Sequence, residues 1–203
     1  MPGAVGRDGV DLDGVLEGLG ALAYLLVALL VMGDGVVPVL PGESTIAAGA
    51  ALAGAGDLRV SLVVACAIAG AVAGDSTTYA IGRLGGPRLR TLAVRMAGER
   101  RIARGEEAFR RNATVAILVG RWIPGLRFTV ALLAGAVRIP YRRYLPLVAI
   151  GGTGWVLQNA LIGFYLGRAF AGNVPLAVAL SIAAALAISG VIGLSERRRR
   201  RAS

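Results

Sequence analysis

Gly120-Arg121-Trp122-Ile123-Pro124-Gly125-Leu126-Arg127 is the stretch on which the fold turns. Its flanks, residues 113–119 and 128–137, carry no charge. A charged side chain at bilayer depth costs at least about 2.5–3.5 kcal/mol on insertion scales, so arginines there face a cavity and mark a pathway. Two of them, Arg121 and Arg127, bracket a proline. Pro124 removes a backbone donor and kinks or ends a helix, and Gly125 permits a turn.

The two arms around Pro124 are too short to cross a bilayer singly. Residues 113–123 give about 16 Å of helix and residues 126–137 about 18 Å, against a hydrocarbon core of about 30 Å. Each arm reaches the middle, as in a re-entrant hairpin over about 112–137. The alternative is one kinked spanning helix. Exposed backbone at that depth requires surrounding protein or water.

Outward from the break the chain is apolar in long blocks. It is 56% hydrophobic with a mean hydropathy of +0.68. Residues 60–82, 145–167 and 174–194 are each long enough to span. Residues 19–55 are interrupted at 34–43, a Pro/Gly loop with Asp34, Pro41, Gly42 and Glu43. A polar segment over 1–18 without a basic n-region gives no expectation of a signal peptide, and residues 195–203 form a basic tail.

Charge distribution sets the topology. All the basic residues are Arg, and the net charge is +10. Residues 83–111 hold nine Arg against Glu99, Glu106 and Glu107, which places this connector in the cytoplasm. A hairpin at 112–137 keeps Arg138, Arg142 and Arg143 on the same side, and two further spans return the tail there. A full crossing at 112–137 would put both later clusters outside. The connector reads as an interfacial amphipathic helix with Leu89, Leu92, Met96, Ile102 and Phe109 among its arginines, or as a solvated basic loop. Arginines at segment ends are topology determinants, so nucleic acid is not an expected partner.

The absence of His excludes His-based nucleophile–base pairs and most zinc sites. There is no Ser–Lys signature and no metal-ligand cluster. Neither an enzyme nor a cofactor or metal is expected. Cys66, the single cysteine, has a packing role.

The chain carries a faint internal repeat. Pro41-Gly42 recurs as Pro124-Gly125, and Gly82-Arg83 as Gly167-Arg168. Each half reads as broken hairpin, link, spanning helix. That is an odd number of crossings, so the second copy is inverted. The expected fold is therefore all-α: a polytopic membrane protein with two inverted repeats, each a re-entrant hairpin (about 19–55 and 112–137) plus a transmembrane helix, and a C-terminal transmembrane helix. In such transporters the breaks meet near the midplane and form the site. Asp34 and Glu43 would then face Arg121 and Arg127 across a cavity. Glu43 is a coupling acid or a helix cap, and Asp34 a site acid or a loop residue. Asp75 is expected to pair with an Arg in a supporting role, and Gly70 and Gly74 to pack helices.

These residues resemble the DedA family of bacterial membrane proteins, also called the SNARE-associated or VTT-domain family. The matching pieces are Asp34, Leu40-Pro41-Gly42-Glu43, Gly74-Asp75 with Tyr79 and Gly82-Arg83, and Gly120-Arg121 with Pro124 and Arg127. Ala134-Gly135, Gly154-Trp155 and Asn159 also fit, so the likeness runs from about Asp34 to Arg168. Asp34 stands where many members carry Glu, and the spacing of the two acids is shorter than in some. The resemblance implies paired re-entrant hairpins and the flipping of lipids, especially undecaprenyl phosphate, often linked to proton motive force. Its acid pair maps onto Asp34 and Glu43, its arginine pair onto Arg121 and Arg127.

The reading that follows is a translocase for an anionic lipid phosphate, polyprenyl or phospholipid, with a proton as coupling ion. It would lie in the bacterial inner membrane, multi-pass, with a cytoplasmic C-terminus. A homo-oligomer is compatible with it. The alternative is a proton-coupled exporter of a small solute or cation, with the acids as its site.

Overall fold

The computed structural model describes residues 12–37, 40–122, 126–170, 173, 175–184 and 187. Among them every regular element is a helix: α1 (Leu12–Val36), α2 (Gly42–Ala55), α3 (Val60–Ala97), α4 (Glu99–Arg111), α5 (Ala113–Gly120), α6 (Leu126–Ala136) and α7 (Tyr141–Ala169). A further apolar helical stretch covers Pro175–Ala184. Pro124, Gly125, most of the expected span at 174–194 and the basic tail lie outside the described residues.

The first break is shorter than the loop expected over 34–43. Asp34 and Gly35 continue α1, because neither forbids helical backbone, and the helix ends at Val36. Pro41 caps α2. Its carbonyl accepts from the Thr45 amide at 3.0 Å, Ser44 Oγ at 3.0 Å and Thr45 Oγ1 at 2.8 Å. Asp34 and Glu43 therefore sit on the facing ends of two helices instead of in a loop.

The connector at 83–111 is helical, so the loop alternative does not hold. α3 continues past Gly82 to Ala97, with Pro87 inside it, and α4 carries the rest. Gly98, at φ 82°, makes the turn between them; that left-handed backbone favours glycine. Arg90 ties the two helices together, with Nη2 2.5 Å from Glu99 and Nε 3.1 Å from Glu106. Such exposed pairs contribute about 0–1 kcal/mol, so the firmer anchor is Phe109, buried in one cluster with Ile117, Val130 and Ala134.

α3 and α7 pack against each other at the centre. α1 and α6 lie on α3, and α2 and α5 lie on α7. Val60–Met96 and α7 are each long and apolar enough to cross a membrane. α5 and α6, with 8 and 11 residues, are about 12 Å and 16 Å long and cannot.

Close helix crossings are made by glycines, and one contact occurs twice. On α3 and α6, Gly82 lies against the Leu132 carbonyl, while Gly135 lies against the Tyr79 carbonyl and the Arg83 amide. On α7 and α2, Gly167 lies against the Ala51 carbonyl, while Gly54 lies against the Phe164 carbonyl and the Arg168 amide. A Cβ at any of the four would collide with backbone. Gly70 and Gly74 press on α1 in the same way, at the Ala28 and Met32 carbonyls. Small residues of this kind let membrane helices approach closely.

Overpacking a tight contact costs about 1–3 kcal/mol, occasionally more. Gly135→Val and Gly54→Val should each lower the midpoint of thermal unfolding in detergent by several degrees. Gly105→Ala should not, because Gly105 in α4 has open space around its Cα and Ala improves helix propensity by about 0.5–1 kcal/mol. Fluorescence-detected gel filtration after heating measures all three.

Candidate functional site

The site is assembled from α1, α3, α6, α7 and the residue that ends α5. Gly74 of α3 meets Gly35 and the Met32 carbonyl of α1 so closely that neither glycine could carry a side chain without rearrangement. Thr78 Oγ1 donates to the Gly35 carbonyl at 2.7 Å, occupying an acceptor at the end of α1. This crossing brings Asp34 beside Asp75. Asp75 is buried, and Tyr144 of α7 donates its hydroxyl to the Asp75 carbonyl at 3.1 Å.

The arginines enter from the second break. Arg121 stands at the C-terminal end of α5, and its side chain is only 2% exposed. Its Nη1 pairs with Asp75 Oδ2. Arg127, in the first turn of α6, lies between both acids: Nη2 is 3.0 Å from Asp34 Oδ2, and Nε is 3.4 Å from Asp75 Oδ1. Two carboxylates thus face two guanidiniums. The Arg127–Asp34 end is the more accessible, at 12% and 15% side-chain exposure.

Trp155 of α7 forms the floor. The guanidinium carbons of Arg121 and Arg127 lie 5.1 and 5.3 Å from its ring centroid. Contacts of this kind contribute about 2 kcal/mol when desolvated. Gly152, one turn earlier, leaves its face open to the Arg121 guanidinium. A branched residue there would fill the space the arginine occupies.

Pairing does not exhaust the cluster. Among the described residues, Arg121 Nε and Nη2, Arg127 Nη2 and Asp75 Oδ1 are buried without a hydrogen bond of good geometry. An unmet buried polar group costs about 1–3 kcal/mol, more when charged. The cavity beside them, lined by Asp75, Arg121, Arg127, Tyr144, Ile117 and Val148 among others, measures about 10 Å³. That is room for about one water. The expected open cavity between acids and arginines is therefore closed, because the ion pairs draw the helices together.

Four of the expected site residues, Arg121, Arg127, Asp34 and Asp75, come together here. Asp75 is central: it pairs with both arginines. Glu43 lies in the first turn of α2, near enough for its charge to act on Asp34. Gly42 faces the Asp34 carboxylate so closely that a Cβ would displace it. Pro41 contributes as the cap of α2, while Pro124 and Gly125 fall outside the described residues. Tyr144 and Gly152 were not singled out by the sequence reading, and Trp155 only as part of a family pattern. The run Gly151-Gly152 beside Gly154-Trp155 in mid-span is the signal that was available.

The VTT domain profile matches residues 40–165, which holds Glu43, Asp75, both arginines and Trp155. The chain belongs to the VTT-domain (DedA) family. As such it is a membrane protein, like the relatives it matches. An uncharacterized membrane protein of Synechocystis is 38% identical over 64% of this chain and 60% of its own length. One from Mycobacterium tuberculosis is 33% identical over 79% and 77%. Protein DedA of Escherichia coli is 27% identical over 78% of this VTT-domain chain and 75% of its own length. No solved structure matches it.

Breaking a buried pair by removing one partner costs about 3–5 kcal/mol, since the other charge is left uncompensated. Asp75→Ala and Arg121→Ala should each destabilise the protein on that scale. The double variant should be less destabilised than the sum of the two, with a coupling of about 0.5–3 kcal/mol. Thermal unfolding of the four proteins of the cycle measures the coupling; additivity would mean that the pair does not form.

Proposed function

We propose that the protein translocates an anionic lipid phosphate across the bacterial plasma membrane, with Arg121 and Arg127 as the phosphate-binding residues. The observation that carries this reading is the pair of unspent Arg121 donors, Nε and Nη2, buried over Trp155 beside Arg127. Arginine presents a planar fork that binds phosphate oxygens bidentately. A carboxylate is the nearest side-chain analogue of such an oxyanion. Asp75 and Asp34 hold the arginines while no phosphate is present, and a phosphate must displace them to bind.

The closed cluster then corresponds to an occluded arrangement in which the carboxylates hold the arginines. Any opening must respect the α3–α6 and α2–α7 glycine crossings, which leave no slack. The short arms α5 and α6 support a re-entrant second hairpin. The doubled contact, α3 on α6 and α7 on α2, supports two inverted repeats whose breaks meet at the midplane. The α1–α2 pair is the first hairpin in this scheme, and the C-terminus is cytoplasmic. Glu43 is the candidate coupling acid, placed to take a proton as Asp34 releases Arg127. Only the head group crosses the protein, while the chains stay in lipid. The chemistry is transport, with no bond made or broken and no cofactor required.

Substitution of Arg by Lys keeps the charge and removes the fork. Arg121→Lys and Arg127→Lys should each insert and purify yet lose most flipping of a fluorescent phosphate lipid in liposomes, measured by dithionite protection. Glu43→Gln should fold and lose the dependence of flipping on a pH gradient. If both Lys variants flip at the wild-type rate, the arginines are counter-ions to the acids. If flipping is absent in the wild type and a pH gradient instead drives a small cation, the exporter reading replaces this one.

A further inference from the structure

A second basic feature lies outside the charge cluster and has no part in it. Ser76, Tyr79, Ala80, Arg83 and Leu84 of α3, with Tyr141 of α7, line an open groove of about 370 Å³. That is the size range of small-molecule sites, about 300–1,000 Å³. The groove lies on a spanning helix whose neighbouring surface is apolar and open: Leu84 is 85% exposed and Ile81 45%. In a membrane protein such a surface faces lipid chains.

The polar groups of this groove are built. Arg83 Nη1 donates to Tyr79 Oη at 3.0 Å, and Tyr79 Oη donates to the Ile139 carbonyl at 2.5 Å. The Ser76 and Tyr141 hydroxyls lie 2.9 Å apart. Tyr79 is thereby committed and holds the Arg83 guanidinium in place. The other donors of Arg83 meet no hydrogen-bond acceptor, and no carboxylate lies within ion-pair distance of it among the described residues. Every arginine of the central cluster has a carboxylate; among the described residues this one has none.

The groove also adjoins the cluster. Tyr79 stacks on Tyr144 with ring centroids 4.6 Å apart. Tyr144 lines the central cavity and binds the Asp75 carbonyl. A single pair of stacked rings therefore separates the groove from the Asp75–Arg121 pair.

We propose that the groove at Arg83, Tyr79 and Tyr141 is a docking site for the phosphate head group of a membrane lipid, on the lipid-facing side of the tyrosine pair that walls the charge cluster. The ligand class is a lipid phosphate monoester. The Arg83 guanidinium and the Ser76–Tyr141 hydroxyl pair take the phosphate oxygens, Tyr79 holds the guanidinium, and the chains run over Leu84 and Ile81. A soluble phosphate would have no use for that apolar flank. This deepens the transport reading and rests on it, since the site is where a lipid waits before the tyrosine pair yields.

The test uses the whole protein in phosphatidylcholine liposomes, with Leu84→Cys on a Cys66→Ala background carrying a benzophenone maleimide. Alkyne-tagged phosphatidate or alkyne-tagged phosphatidylcholine is included at the same low mole fraction, and crosslinked lipid is counted after illumination. Phosphatidate should label in clear excess over phosphatidylcholine. Arg83→Gln should lower phosphatidate labelling roughly tenfold, the loss expected for a charge-assisted hydrogen bond, while Arg88→Gln leaves it unchanged. Arg83→Lys should restore part of it. Equal labelling by the two lipids, or phosphatidate labelling indifferent to Arg83→Gln, overturns the proposal. So does suppression by inorganic phosphate as complete as that by unlabelled phosphatidate. Labelling needs no translocation, so the two readings fail separately. A wild-type protein that labels through Arg83 but flips no phosphate lipid upholds the docking site and removes the transport reading.

Discussion

Two guanidinium groups are held in an apolar interior, and the arrangement of the helices follows from what it takes to keep them there. Each would cost several kcal/mol if left unpaired, which is comparable to a large part of the roughly 5–15 kcal/mol that holds a folded domain together. The partners come from opposite halves of the chain. Asp34 on α1 and Asp75 on α3 meet Arg121 at the end of α5 and Arg127 on α6, over Trp155 of α7. α2 completes the arrangement through Gly42, which leaves room for the Asp34 carboxylate. The cluster thereby draws on α1, α2, α3, α5, α6 and α7. A change in its pairing must move helices, and a movement of helices must change its pairing.

The helices around it meet at close glycine crossings. The α3–α6 and α2–α7 crossings are backbone against backbone at glycine, so these pairs move as units. At the first break Gly35 meets the Gly74 backbone and Gly42 faces the Asp34 carboxylate, so α1, α2 and α3 are held close there as well. The Arg127–Asp34 pair therefore sits directly beside the α1–α2 junction.

Much of this was legible from residue order alone. The charges at 120–127, the proline between them and the lengths of the apolar blocks gave an all-helical membrane protein and named Arg121 and Arg127; the break at 34–43 named Asp34, and Asp75 was expected only to pair with an Arg in a supporting role. What was not legible depended on tertiary contact. Asp75 is 46 positions from Arg121, and nothing local marks it as the partner of both arginines. Asp34 and Gly35 look like loop residues, yet α1 continues through them because Gly35 is needed against Gly74. The span was expected to end at Gly82, yet α3 runs on through Gly85, Gly86 and Pro87 to Ala97, with Gly86 set against the Ala136 backbone of α6. In each case a residue that favours a break locally is retained for close packing, and local propensity is overridden.

The central claim is that the arginine cluster recognises phosphate. The most direct measurement compares bilayer crossing of a polyprenyl phosphate with that of its dephosphorylated alcohol in liposomes containing the wild-type protein and no competing anionic lipid. Crossing of the phosphate should be accelerated well above protein-free liposomes, and crossing of the alcohol should not. Equal acceleration of both, or of neither, would contradict the account.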